Sequence, residues 1–145
     1  MIHRLLLPLL FVTSISRAGN WPEWRGPSAQ GHANASSLPE TWSETSNVAW
    51  KTPLPGRGHS TPLMWGDQIW LTTAFEKAAT PEETKRRLES NTGDQPVVVL
   101  SSVSLHALCL DRSSGKILHD IELLNVKEPQ WAHQLNSYAS PTPVL

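Results

Sequence analysis

Apolar positions along the chain gather into short runs with a period of two, separated by polar stretches rich in Pro, Gly and Ser. The strongest β pattern runs from Val97 to Leu110. Val97 to Leu100 is continuous, Val103 and Leu105 alternate with Ser102 and Ser104, and Ala107 to Leu110 closes the run. This pattern predicts one long strand or a pair broken at Ser101–Ser102. Asp111 to Gly115 then supplies a tight turn, because Asp and Ser side chains bond nearby backbone N–H groups and Gly tolerates positive φ. Lys116 to Leu123 begins the return strand, with Ile117, Leu118, Ile121 and Leu123 as its apolar members.

Upstream, His59 to Trp65 reads as a strand, Gly66-Asp67 as its turn and Gln68 to Ala74 as its partner. Asn47 to Leu54 predicts a further short strand, in which Val48 and Trp50 alternate with Ala49 and Lys51. Residues 76–96 interrupt the β pattern. Thr80-Pro-Glu-Glu carries an N-cap, a Pro in the first turn and acids beside it, and Asn91-Thr-Gly93 is a stop. The segment predicts a short polar surface helix, with a disordered loop as the alternative. Lys85, Arg86 and Arg87 on it read as a solvated face more readily than as a contact for an anionic partner.

The turn also carries a resemblance. Cys109-Leu-Asp-Arg-Ser-Ser-Gly-Lys-Ile-Leu-His119 resembles the Ala-Leu-Asp-x-x-Thr-Gly-Lys-x-x-Trp hairpin of pyrroloquinoline quinone (PQQ)-like β-propeller repeats. In that family each repeat forms a four-stranded antiparallel blade, and the final Trp packs between blades. Here Cys109 replaces the Ala and His119 replaces the Trp, so the contact between blades is lost or weakened. The segments Asn20 to Pro27 and Asn47 to Leu54 look like the start of exported members. Thr61-Pro-Leu63 and Thr142-Pro-Val144 look like one position in successive repeats, with Pro62 and Pro143 standing 81 residues apart. A blade takes about 40–50 residues, so the excess fits the insertion and a long connection.

The resemblance implies an all-β fold: one to two blades of a propeller in an incomplete ring, with one short helical insertion. On this reading 1–18 is a signal peptide, 19–46 an irregular Trp- and Pro-rich lead-in, and 47–145 the first blade plus the start of a second. A ring needs at least about four blades, so the chain reads as an N-terminal fragment whose partners include the remaining blades. The strand at Asn47 to Leu54 would complete the last blade of such a ring.

Composition narrows the function. His3 and Arg4 precede an apolar run from Leu5 to Val12, and Ser16-Arg-Ala18 offers small residues where a signal is cleaved. The run is too short to span a bilayer, so the mature chain is expected to be periplasmic or extracellular, with a retained anchor as the alternative. A net charge of −1 gives no electrostatic case for nucleic acid or anionic lipid. Seven Trp against two Phe and one Tyr suggest indoles packed between sheets. Trp21, Trp24 and Trp42 would pin the lead-in, with Arg25 stacked on one of them. Asn34-Ala-Ser36 matches a glycosylation sequon, a motif common by chance. Cys109 is the single cysteine, in an apolar run where a small buried hydrophobe is expected. His106, three residues away, should lie on the opposite face of the strand.

No catalytic set stands out. The six His show no zinc-like spacing; His59 and His133, each shortly before a Thr-Pro strand, are the pair to test for a metal. Ser113 and Ser114 sit in a turn without a base, and Gly56-Arg-Gly58 lacks the strand-to-helix context of a phosphate loop. Quinoproteins of the resembled family hold PQQ beside a vicinal disulfide and a calcium ion. One cysteine cannot supply the former, and no calcium set is recognisable here. The expectation is an exported, non-catalytic propeller that acts as a binding or scaffold module for a protein or polymer, without a cofactor. The alternative is the N-terminal fragment of a PQQ-dependent quinoprotein dehydrogenase.

Overall fold

A computed structural model describes residues 19–33 and 38–145. The signal-peptide segment 1–18 and the sequon at Asn34 lie outside the described residues. The chain is mostly β, and its elements run β1 (Leu63–Trp65), β2 (Gln68–Ala78), α1 (Pro81–Leu88), β3 (Val97–Val98), β4 (Leu100–Asp111), β5 (Ile117–Lys127) and β6 (Ala132–His133). β1, β2, β4 and β5 form one four-stranded antiparallel sheet in chain order, and β3 pairs with β6 in a second sheet. No helix among the described residues is long and apolar enough to cross a membrane.

Turn chemistry sets the sheet. Gly66, at φ 57°, lets β1 reverse into β2. At the β4–β5 turn, Asp111 Oδ1 accepts hydrogen bonds from the backbone N–H and the hydroxyl of both Ser113 and Ser114. These bonds hold the Asp111 carboxyl down to about 2, with the two Ser hydroxyls the leading cause. Gly115 follows at φ 71°, and a Cβ there would meet the Trp50 ring at 2.3 Å. The turn thus needs glycine twice, for its backbone and for the indole. Trp50 Nε1 donates to Arg112 O and Thr52 Oγ1 to Gly115 O, tying the Asn47 to Leu54 segment to the turn.

Alternation gives the sheet two faces. Leu71, Leu108 and Leu110, with Ile69 and Ile117, form a cluster on one. Ala74 and Val103, with Leu105 and Val126, face the other way and are covered by Tyr138 and Ala139 of the C-terminal segment, Leu100 joining the cluster. β4 is internal to the sheet, with every residue buried or half-buried. β5 is the edge, and nearly all of its 11 residues are exposed.

Several expectations shift. Asn47 to Leu54 forms no strand: Asn47 bends at φ 61°, Pro53 lacks an N–H, and the Trp50 and Thr52 side chains are tied to the β4–β5 turn. The strand expected over His59 to Trp65 shrinks to β1, because His59 N donates to Ala139 O and Thr61 N to Thr142 Oγ1. β2 runs on to Ala78, so the interruption starts later than residue 76. The break in the long strand falls at Val99, not Ser101–Ser102. Ser101 instead sits at a bulge, where Lys77 pairs Ser102 and Ala78 pairs Leu100. β5 continues past Leu123 to Lys127.

The helix forms with a full capping box: Thr80 Oγ1 accepts from Glu83 N, and Glu83 Oε2 accepts from Thr80 N. Its basic triplet is not simply solvated. Arg86 pairs with Glu128 at 3.1 Å, and Arg87 donates to the carbonyls of Leu100 and Pro129. The Trp expectation fails as a core: Trp24, Trp42 and Trp65 are exposed and none of the seven is fully buried. Trp21 does pin the lead-in, bridging Met64 on the free side of β1, and Arg25 stacks on Trp24 at 4.6 Å.

Candidate functional site

Two places gather polar chemistry. The first lies across β4 and β5. His106 faces the same side as Ser104 and Leu108, opposite Glu122 in register. Its Nδ1 stands 2.5 Å from Asp120 Oδ1 and its Nε2 stands 2.8 Å from Ser104 Oγ. Phe75, from β2, tilts against the imidazole with ring centroids 4.5 Å apart. A hydroxyl on Nε2 and a carboxylate on Nδ1 is the connectivity of a nucleophile, a base and its orienting acid.

Glu122 changes that reading. Ser104 Oγ donates to Glu122 Oε2 at 2.6 Å, and one hydroxyl proton serves one acceptor. Hydrogen bonds from Ser104 and then Asn125, with the nearby His106 ring, hold the Glu122 carboxyl below the usual carboxylate range. The Glu122 carboxylate therefore sits on the hydroxyl itself, and its field opposes a developing oxyanion. The arrangement works as a cross-strand polar ladder that fixes β5 on β4. Sequence reasoning missed it: counting outward from the Leu110–Ile117 pair would set Ile121 opposite His106, and only the bulge at Leu118 brings Glu122 there.

The second place is an open cleft of about 380 Å³ lined by Trp24, His59, Thr61, Ser140 and Thr142. Residues from both Thr-Pro segments build it. Thr61 N donates to Thr142 Oγ1 at 2.9 Å, and Thr72 Oγ1 donates to Pro141 O. Leu145 N donates to Pro22 O, which ties the lead-in to the same end. Trp24 is 61% exposed, so its indole faces solvent at the rim.

His59 lies in this cleft, but His133 is not among its lining residues. His133 sits on β6 opposite Val97, and its Nδ1 accepts from Leu135 N–H. Among the described residues no group of three or more His, Cys, Asp or Glu is placed to hold a metal ion.

Cys109 is buried on the face opposite His106, and burial pushes its thiol up. It is flanked in register by Trp70 on β2 and His119 on β5, whose rings lie 6.5 Å apart at 21°. The small thiol lets these two rings approach over it, so His119 keeps an aromatic contact within its own sheet. A quinone cradle does not fit these residues: the single cysteine has no vicinal partner and lies inside the sheet. No family model matches the chain, and neither a curated protein nor a solved structure matches it.

Proposed function

We propose that the chain is a blade-type repeat module, exported to the periplasm or beyond, that works by binding a protein or polymer rather than by catalysis. One observation carries the reading. Thr61 and Thr142 lie side by side through a 2.9 Å bond, next to β1 at one edge of a four-stranded sheet in chain order. Successive repeats arranged around an axis bring equivalent strand starts together in this way. The cleft beside them offers an exposed indole, an imidazole and three hydroxyls. That set suits a ligand with a ring or chain face for Trp24 and polar groups for Thr61, Ser140 and Thr142.

The test is a tryptophan-fluorescence titration with soluble glycan oligomers and with peptides. Saturable quenching that is lost in Trp24→Ala supports the reading. Substrate turnover traced to residues of this chain would overturn it, as would saturable PQQ binding with quinone-dependent dye reduction, which would favour a quinoprotein dehydrogenase.

A further inference from the structure

β5 ends the sheet, and among the described residues no strand or isolated bridge lies on its outer side. It is 11 residues long and has no Pro or Gly. Ile121, Leu123 and Leu124 are 45%, 59% and 53% exposed. An edge of this length with apolar side chains is a template for pairing with another strand.

The register of β5 says which strand fits. Asp120, Glu122, Asn125 and Lys127 stand opposite Leu108, His106, Ser104 and Ser102, all on one face. His119, Ile121, Leu124 and Val126 stand opposite Cys109, Ala107, Leu105 and Val103, on the other. Leu123 is the extra residue of the bulge between them. We propose that two copies of the chain dimerise by antiparallel pairing of their β5 edges, on a two-fold axis centred on the Leu123–Leu124 bulge.

That axis sets Asp120 opposite Lys127 of the partner subunit, Ile121 opposite the partner's Val126, and Glu122 opposite the partner's Asn125. Each pair shares a face. In a regular strand, a two-fold between consecutive residues would oppose side chains from different faces, because faces alternate residue by residue. The bulge removes the conflict. The pairing creates two opposite-charge contacts and no like-charge one, the complementarity a self-recognising edge requires. It also brings the partner's Leu123 and Leu124 to the rim of an apolar cavity of about 280 Å³ that Leu123 and Leu124 share with Tyr138, Ala139 and Pro141.

Sedimentation velocity of the purified chain tests the proposal. A reversible monomer–dimer equilibrium is expected, with a Kd on the order of micromolar for so small an interface. Lys127→Asp and Asp120→Lys should each weaken the dimer by about tenfold or more. An equimolar mixture of the two should dimerise again, since both contacts then join opposite charges. Because Asp120 also holds His106, a second measurement avoids it. In a Cys109→Ala background, Leu123→Cys should form an interchain disulfide on mild oxidation, and Leu118→Cys, far from the axis, should not. A chain that stays monomeric, forms larger assemblies, or crosslinks equally through both positions overturns the proposal.

Discussion

At the scale of single residues, Asp111 shows how much structure one carboxylate can organise. Four donors from two serines converge on one oxygen. The folded carboxyl titrates at about 2, below its ordinary 3.8. The turn's contribution to stability is therefore complete above about pH 4 and is lost as pH falls toward 2. Thermal melts of the wild type and Asp111→Asn should differ most near neutrality and converge in acid. An unchanged gap between them from pH 7 to pH 2 would contradict this account. Cys109 and Gly115 are small for a similar local reason: each lets larger rings, Trp70 and His119 in one case and Trp50 in the other, come close.

Among elements, α1 depends on its first turn more than on its face, for none of its residues is fully buried. Thr80→Ala removes the side-chain acceptor of the Glu83 N–H, leaves the Thr80 backbone N–H on Glu83 Oε2, and should cost about 1 kcal/mol. The loss should appear as faster amide exchange over Glu83 and Thr84, with β4 unchanged. The helix, the Gly66-Asp67 hairpin and the Asp111–Gly115 turn were legible in the sequence, because each is decided by residues within a few positions. Three features were not. The break at Val99 is set by β6, more than thirty positions later. Asn47 to Leu54 alternates like a strand yet finds no ladder, since a periodic pattern does not name its partner. The His106–Asp120 contact depends on the β5 bulge at Leu118, which shifts every register beyond it.

For the molecule as a whole, the segment from Tyr138 to Thr142 covers one face of the sheet. Ala139 and Tyr138 cover Ala74, Val103 and Leu105, and Thr142 accepts the Thr61 N–H. Thr142→Val keeps the shape but leaves that half-buried donor without its acceptor. A loss of about 1–2 kcal/mol is expected, read as a lower urea midpoint with an unchanged m-value. No change in midpoint would mean that the two Thr-Pro copies touch without holding each other. The candidate site was legible only in outline: His59 and the paired Thr-Pro motifs were visible, while Trp24 joined them through bonds from Trp21 to Met64 and from Leu145 to Pro22.

The small β3–β6 sheet has a consequence for the order of assembly. Its two strands flank the β4–β5 hairpin in the chain and pair with each other, Val97 with His133 and Val98 with Ala132. The hairpin is thus enclosed in a loop whose ends the small sheet clasps. Closing a loop of that length carries an entropic cost that only a formed hairpin reduces, by bringing the ends together beforehand. The hairpin, nucleated by its local turn, is therefore expected to form first, and the clasp to shut late and open early.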